Sequence, residues 1–437
     1  MNEINDIFEK LKAQAQAYIT NMLGVKQEHL QTSAYNCGAI VRSGETSDAK
    51  QLLQLLLIYA TSSMSLRAIS ICAYLGDSVN VSDEAWRQRF LKCIAWIYYL
   101  LQISLDSIAP TALWFSHDGS NMQVYLIDAT VFKQEGPNGK ELSVHLCYNL
   151  TKGAMEEVMV SDRRTAESVK HFTVIPGSLY ICDAGYGTGT NIEYIVENKG
   201  YALFRITPNT VRLSSDCHGK VVIDMAQKLK TRKKQVVIDC FVHTAKGRYL
   251  PVRVIASRLP EDKALLAKER KIREAKKKQR KLKASTLVFC QWVILMTTAD
   301  ATHSTDSLLY LYRSRWQIEL LFKRIKQFFD VKRLKKASFA HSELIVLLLL
   351  LTWSAVEKRA LEVEIFLLQK NHDLQGYSPW VMSTLFFHQF ETLLNLSWAA
   401  DFSRLPCISM VYKLLRNHKS QRPNQYFIFH LQPLVLA

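Results

Sequence analysis

Four residues with reactive or phosphate-binding side chains lie close together in the stretch YRSRWQIELLFKRIK. They are Tyr312, Arg315, Glu319 and Lys326. With about 100° of rotation per residue, the four positions lie within an arc of roughly 60° on one face of a single predicted helix. Apolar residues gather on the neighbouring face. One carboxylate among two cations and a phenol is suited to holding metal against nucleic-acid phosphate. The helix would extend about 21 Å from Tyr312 to Lys326, so we expect the four residues to bind successive phosphates rather than one ion.

Two aspartates upstream each follow an apolar run typical of a buried strand. Asp128 lies in QVYLIDATVF and Asp183 lies in SLYICDAGYG, and both are predicted where a strand gives way to a turn. Two more strand-like runs, LSVHLCYNL and MEEVMVSD, and a polar helix around residues 163–170 are predicted between them. Three carboxylates packed together repel one another, so a site that includes Glu319 would assemble fully only with cations. The alternative is that both aspartates are ordinary turn residues.

The spacing Tyr-x2-Arg-x3-Glu-x6-Lys with two upstream aspartates resembles the YREK signature of the DDE transposases of the IS-four family, which are bacterial insertion-sequence enzymes. The resemblance covers about residues 120–340. It implies an α/β (α+β) fold with an RNase H-like catalytic core. It also implies three catalytic, metal-binding carboxylates, Asp128, Asp183 and Glu319, and three phosphate-binding side chains, Tyr312, Arg315 and Lys326. Two Mg²⁺ ions, with Mn²⁺ as a substitute, suit such hard oxygen ligands.

The resemblance further implies cut-and-paste DNA transposition of an insertion sequence. Water frees a 3′-hydroxyl at the transposon end, that hydroxyl attacks the opposite strand to form a hairpin, and the reopened end is joined to target DNA. The expected partners are double-stranded DNA, as terminal inverted repeats and target, and a second copy of the chain on the paired ends. Residues after about 340 are a candidate assembly surface.

Trp292 is a candidate for stacking on DNA. A tryptophan in an apolar strand such as QWVILMT is ordinarily buried in a core. In related transposases, a tryptophan in a similar Trp-Val-x-Leu setting stacks on a base flipped out near the cleavage site. The resemblance therefore implies a DNA-binding role for Trp292, with Trp316 as a candidate helper.

The chain divides into five predicted parts, which are a helical N-terminal DNA-binding domain (1–118), the first part of the core (119–206), a β-rich insertion with a basic run (207–298), the last part of the core (299–345) and a C-terminal helical region (346–437). The insertion is predicted from runs rich in β-branched residues, namely GKVVIDM, KQVVIDCFVH, RYLPVRVIAS and TLVFCQWVILMT.

The formal charge of +17 and the isoelectric point near 9.4 favour a polyanionic partner. Residues 258–283 are strongly basic and are predicted to neutralise phosphates, or to form a solvated helix or mobile loop. Residues 65–101 are predicted as a helix-turn-helix with Ser82 as N-cap, or as a plain helical bundle. In the first case the candidates for reaching a DNA groove are Arg87, Arg89 and Lys92.

Neither a signal peptide nor a membrane span is predicted, because the N-terminus is polar and the apolar run at residues 344–356 is short. Nine cysteines without a C-x2-C pair fit a reducing compartment, so a cytoplasmic, nucleoid-associated protein is expected. Two alternatives remain open. One is an inactive, transposase-derived DNA-binding protein. The other is an S-adenosylmethionine-dependent methyltransferase, suggested by the glycine-rich DAGYGTG but lacking an acidic residue after the next strand.

Overall fold

The computed structural model describes residues 2–42, 44, 48–62, 64–77, 79–108, 122–136, 138–231, 233–329, 334, 337–370 and 379–396. The C-terminal segment QYFIFHLQPLVLA, and with it much of the predicted assembly surface, lies outside these residues.

Among the described residues, six helices precede the first strand, and their bounds are α1 Asn2–Met22, α2 Gln27–Asn36, α3 Ala49–Thr61, α4 Leu66–Asp77, α5 Asp83–Lys92 and α6 Ile94–Asp106. The strands are β1 Val124–Lys133, β2 Glu141–Asn149, β3 Ala154–Asp162, β4 Leu179–Cys182, β5 Tyr201–Arg205, β6 Leu213–Ser214, β7 Gln235–His243, β8 Tyr249–Arg258 and β9 Trp292–Thr297. The remaining helices are α7 Gly189–Glu197, α8 Met225–Lys228, α9 Glu261–Lys277, α10 Ala284–Phe289, α11 Thr305–Arg313, α12 Trp316–Phe328, α13 Phe339–Gln369 and α14 Pro379–Leu396.

Within the described part of the chain, all nine strands belong to one mixed sheet in the order β3-β2-β1-β4-β5-β9-β8-β7-β6. Strands β1, β4 and β5 run parallel, and β2 and β3 pair antiparallel beyond β1. This arrangement is consistent with the expected RNase H-like fold. Strand β9 pairs antiparallel with β5, so the strands of the predicted insertion extend the same sheet.

Two of the predicted strands are wrong in whole or in part. GKVVIDM contains no strand, because the Asp216 carboxylate accepts backbone N–H groups of His218, Lys220 and Val221 at 2.9, 3.1 and 2.7 Å. Such local bonds compete with sheet pairing. The first half of TLVFCQWVILMT forms helix α10, and only its second half is strand β9.

The polar helix predicted around residues 163–170 is also wrong. Only one short 3₁₀ turn, Val169–His171, is present there. Side chains again replace the helical bonds, because Asp162 accepts the N–H of Arg164 at 2.8 Å and Ser168 accepts that of Lys170 at 3.2 Å.

Alternating side chains of β1 fill two cores, one on each face of the sheet. Val124 and Leu126 join the larger core, which includes residues of α12, α13 and the N-terminal helices. Tyr125 and Ile127 join the other, which α7, α8 and α10 cover. This period of two fixes the face on which each polar residue at a strand end lies.

Helix α13 passes through the larger core and packs against α3, α6 and α14. The apolar run predicted as short belongs to one helix that is long and apolar enough to cross a bilayer by length and composition, over Phe339–Leu367. Of its most apolar window, 83% is buried against the rest of the protein. Burial of this extent is typical of a core helix.

The N-terminal helices agree in part with the predicted helix-turn-helix. Ser82 caps α5 by accepting the N–H of Ala85 at 3.2 Å. The second predicted helix is, however, divided at Cys93 into α5 and α6. Arg87 pairs with Glu84 on its own helix. The groove-reading roles of Arg87, Arg89 and Lys92 stay predictions.

Candidate active site

The two aspartates lie side by side because β1 and β4 are parallel neighbours. The last pair in their register is Ile127 with Cys182, so Asp128 and Asp183 are the next residue on each strand. Asp183 follows the end of β4 as predicted. Asp128 does not end its strand, because β1 continues in its antiparallel hairpin with β2. The parallel pairing nevertheless stops before Asp128, and alternation directs both carboxylates towards the face where α12 packs.

The four-residue signature lies on two helices rather than on the single helix predicted. Tyr312 is in the last turn of α11, Arg315 is the N-cap of α12, and Glu319 and Lys326 are within α12. A tight turn joins the helices, in which the N–H of Arg315 donates to the carbonyl of Tyr312 at 3.2 Å. The predicted apolar face is confirmed, since four of its residues are buried: Ile318, Leu321, Phe322 and Ile325.

The signature residues contact the strand ends directly. The Tyr312 hydroxyl donates to Oδ1 of Asp183 at 3.4 Å, and Nη1 of Arg315 donates to Oδ2 of Asp128 at 3.4 Å. The same guanidinium forms an ion pair with Glu319. Further along α12, Nζ of Lys326 donates to Oγ1 of Thr130 at 2.5 Å.

The electrostatics of the site reflect an excess of buried negative charge. Burial raises the pKa of Asp128 to about 6, against the lowering effects of the Ala129 N–H and of Arg315. The charges of Asp183 and Glu167 add to the rise. Burial also raises the pKa of Tyr312, with Asp183 as the next cause. A cation placed between these carboxylates would relieve their mutual repulsion.

The predicted metal ligands fit a divalent cation by their chemistry, since carboxylates are hard oxygen donors. In the described residues, however, no three His, Cys, Asp or Glu side chains converge closely enough to hold a metal ion. The Arg315 guanidinium lies between two of the carboxylates, because it pairs with both Asp128 and Glu319. All three carboxylates can hold a metal ion only if this guanidinium moves.

A groove of about 790 Å³ runs beside the site, between the second half of β1 and α12. Its lining combines carboxylates and lysines: Asp128, Glu319, Lys133, Lys323 and Lys326. Lys133 and Lys323 are not among the residues predicted from the sequence. Lys323 could have been found, because it lies one helical turn from both Glu319 and Lys326. No spacing rule connects Lys133 to the signature.

Trp292, the candidate for stacking on DNA, lies in a core of the protein. Its side chain is only 3% exposed in the second core, and the Arg258 guanidinium lies 5.5 Å from its ring centre. The indole is part of the second core, so stacking on a base would require it to leave this core, and its stacking role stays a prediction. Trp316, at the start of α12 beside Arg315, is 63% exposed.

The glycines of DAGYGTG are explained by close packing within the protein. A Cβ on Gly185 would lie 2.1 Å from Oε2 of Glu167, and one on Gly189 would lie 2.2 Å from the carbonyl oxygen of His243. Protein atoms therefore fill the space that a bound cofactor would need. This packing weighs against the methyltransferase alternative.

The basic run forms a solvated helix. Arg258 ends β8, and most of the run is α9, on which only Ala264 is buried. Its lysines and arginines are thus accessible to a large anionic partner.

Comparisons with known proteins agree with this geometry. Residues 119–354 match the family described as the transposase DDE domain. The chain is 30% identical over 321 residues to a protein named as the transposase InsL for insertion sequence element IS186A of Escherichia coli (strain K12), covering 71% of this chain and 84% of the relative. It is also 30% identical over 322 residues to the transposase for insertion sequence element IS421 of Escherichia coli, with the same coverage. Members of this family act on DNA and generally use divalent metal ions such as Mg²⁺. The chain therefore belongs to the DDE transposases of insertion sequences, enzymes of mobile DNA elements.

Proposed function

We propose that this transposase cuts both strands at the ends of its insertion sequence and joins the freed ends to target DNA, with Asp128, Asp183 and Glu319 as the metal-binding carboxylates. The observation that carries this proposal is the convergence of α11 and α12 on two neighbouring strand ends. Tyr312 contacts Asp183, and Arg315 contacts both Asp128 and Glu319, which supports assigning the three carboxylates to one site.

Each cut is a phosphoryl transfer. Water attacks phosphorus at the transposon end, the bond to the 3′-oxygen breaks, and a 3′-hydroxyl and a 5′-phosphate result. That hydroxyl attacks the opposite strand to form a hairpin and releases the flanking DNA. A second water opens the hairpin, and the regenerated 3′-hydroxyl attacks target DNA. When bound, divalent cations such as Mg²⁺ or Mn²⁺ would activate the attacking oxygen and stabilise the leaving one.

The other side chains bind and position the DNA backbone. Lys326, Lys323 and Lys133 line one groove and supply positive charge for successive phosphates. Arg315 can bind one phosphate through two parallel N–H bonds once it leaves Asp128. The Tyr312 hydroxyl stays protonated at neutral pH and donates a hydrogen bond, since its pKa is raised.

The exposed indole of Trp316 supports a stacking role beside the cut. A hairpin requires an unstacked base, and stacking on an aromatic ring compensates by about 1 to 3 kcal/mol. Helix α9 supplies further phosphate contacts. Two ends must be cut and joined in one complex, so we propose a homodimer on paired transposon ends.

The test is cleavage of DNA carrying the element's own ends in Mg²⁺, with Glu319→Gln as the variant. Losing about 4 kcal/mol of transition-state stabilisation would slow cleavage roughly a thousandfold, while binding of the end DNA persists. Glu362→Gln is the matched control, because it too removes a partly exposed pair with an arginine of its own helix. End binding without cleavage by the unaltered protein would favour the inactive DNA-binding alternative.

A further inference from the structure

A short basic run lies between α8 and β7, apart from the basic helix α9. Residues 228–234 read KLKTRKK, so five of the seven are lysine or arginine and none is acidic. Lys228, Lys230, Lys233 and Lys234 are exposed, and in the described part of the chain none of these four side chains forms an ion pair. Their positive charge is therefore available to an anionic partner.

The run ends at a cavity of about 900 Å³ that is formed by β7, β8 and α11. Lys234 and Gln235 line it at the start of β7, and Ser257 lines it near the end of β8. Helix α11 and its N-cap supply the rest of the lining, which is Ser304, Asp306, Ser307, Leu309, Tyr310 and Arg313. The charged groups of the lining are thus two cations and one carboxylate, and the basic run adds further positive charge beside them.

Helix α11 connects this cavity with the proposed catalytic carboxylates. Asp306, Tyr310 and Arg313 follow one another at intervals of four and three residues, so they share one face of the helix. Tyr312, which contacts Asp183, points roughly 100° to 160° away from them around the same helix. The cavity and the carboxylate are therefore separated by roughly one helix diameter, about 10 to 12 Å.

This separation matches the dimensions of duplex DNA. The two backbones of B-DNA face each other across a minor groove about 6 Å wide and a major groove about 12 Å wide. A duplex with one backbone at Asp183 can therefore present its other backbone to the cavity. Lysine and arginine side chains suit phosphates of any sequence. Tyr310, which is 55% exposed, offers an aromatic face and a hydroxyl beside these cations.

We propose that Lys233, Lys234, Tyr310 and Arg313 form a second DNA-binding surface, which binds the backbone of the transposon-end duplex on the face of α11 that turns away from Asp183. This inference rests on the proposed function, because it assigns the surface to the same DNA that is cut. The transposon end is favoured over target DNA because it must stay at the carboxylates through every step, whereas target DNA is needed only for the last.

The first test measures binding of end DNA by fluorescence anisotropy at several salt concentrations, without divalent cations. The double variant Lys233→Ala, Lys234→Ala should bind more weakly, and the slope of log affinity against log salt concentration should fall by about 1.8, or about 0.9 for each phosphate contact. The control is Lys170→Ala, Lys199→Ala, which removes two exposed lysines outside the cavity lining. An unchanged slope in the double variant would overturn the proposal.

A charge-preserving variant separates loss of charge from damage to the fold. Lys233→Arg, Lys234→Arg should keep the slope of the unaltered protein, because both positive charges remain. Both lysines are exposed, so the thermal midpoint of unfolding should be the same in the alanine and arginine variants. Equal loss of DNA affinity in the two variants would contradict binding through charge.

A second test locates the contact on the DNA. End duplexes carry one neutral methylphosphonate at a time, and their affinities for the unaltered protein and for Lys233→Ala, Lys234→Ala are compared. Neutralising a phosphate that these lysines contact should weaken binding by the unaltered protein but not by the double variant, because both changes remove one interaction. We expect such phosphates within a few nucleotides of the cleavage site. Their absence from the end duplex would contradict the proposal.

Both tests measure binding alone, so they separate this inference from the proposed chemistry. If Glu319→Gln cleaves DNA normally while Lys233→Ala, Lys234→Ala shows the smaller slope, the proposed function fails and the surface remains. If cleavage requires Glu319 and the slope is unchanged, only the inference about the surface fails. Normal end binding and cleavage by the double variant, with slower joining to target DNA, would assign the surface to target DNA and overturn its assignment to the transposon end.

Discussion

Nη1 of Arg315 lies 3.4 Å from Oδ2 of Asp128, although the two residues are 187 positions apart in the sequence. The same guanidinium pairs with Glu319, so one protein cation lies between two carboxylates that we propose as metal ligands. Guanidinium and metal ion therefore compete for the same negative charge. DNA phosphate would favour the metal-bound arrangement by offering Arg315 another anionic partner.

This competition predicts an unusual effect of Arg315→Ala. Without DNA, at pH 8, Mn²⁺ should bind about tenfold more tightly, a gain of roughly 1.4 kcal/mol, because a competing positive charge is gone. Binding of the end DNA should weaken in the same variant. Calorimetry and a gel-shift titration measure the two effects. Arg313→Ala, two residues away and exposed, is the control for Mn²⁺ binding, and weaker Mn²⁺ binding in Arg315→Ala would contradict the model of competition.

The raised pKa of Asp128 predicts a pH-dependent effect of Asp128→Asn on stability. Between its ordinary pKa of 3.8 and about 6, the folded chain holds a proton that the unfolded chain has released. Raising the pH through this range therefore lowers the free energy of unfolding of the unaltered protein, by up to about 3 kcal/mol. The free energy of unfolding of Asp128→Asn, relative to that of the unaltered protein, should increase over that range. The difference that depends on pH should be absent below about pH 4.

Urea denaturation without divalent cations, at several pH values and constant ionic strength, measures this difference. Asp262→Asn, at the exposed start of α9, is the control. A difference between Asp128→Asn and the unaltered protein that does not vary with pH would show that Asp128 ionises normally.

The lysines of the groove should act through phosphate charge alone. Lys133→Ala and Lys323→Ala should each weaken DNA binding and reduce the slope of log affinity against log salt concentration by about 0.9. The loss should be similar for transposon-end and unrelated duplexes, because phosphates carry no sequence information. Fluorescence anisotropy at several salt concentrations gives the slopes. Lys220→Ala, outside the groove lining, is the comparison, and an unchanged slope in both groove variants would exclude this DNA path.

Replacing Trp292 should affect stability, whereas replacing Trp316 should affect catalysis. Trp292→Ala leaves a cavity in the second core and should lower the free energy of unfolding by about 3 kcal/mol or more. Trp316→Ala should leave stability unchanged but slow hairpin formation by roughly 5-fold to 150-fold, as loss of about 1 to 3 kcal/mol of stacking implies. Chemical denaturation and hairpin yield on end DNA measure the two effects. Normal hairpin formation by Trp316→Ala would remove its stacking role.

Local patterns predicted the parts of the site that one strand or one helix determines. The apolar run before Asp183 predicted its strand, and helical spacing predicted the buried face that includes Ile318. The mixed sheet agrees with the expected fold class. The family resemblance then supplied what spacing alone could not, namely the prediction that Asp128 and Asp183 act together with Glu319.

Contacts between segments far apart in sequence were not predictable in this way. Asn191 joins the segment before β4 to the loop after it, and no periodicity records such a bond. GKVVIDM has strand composition, yet Asp216 takes up the N–H groups that a strand would need. The burial of Trp292 depends on which segments pack around it in the second core, and amino-acid composition does not specify that packing.

Because the signature residues lie on α11 and α12, the directions of their side chains depend on how the tight turn rotates one helix relative to the other. Inserting one residue next to Ser314 would rotate α12 by about 100° relative to α11. Tyr312 would still face Asp183, but Glu319 and Lys326 would turn away from the groove. The fixed number of residues between Tyr312 and Glu319 therefore sets the rotation of α12 about its axis relative to α11.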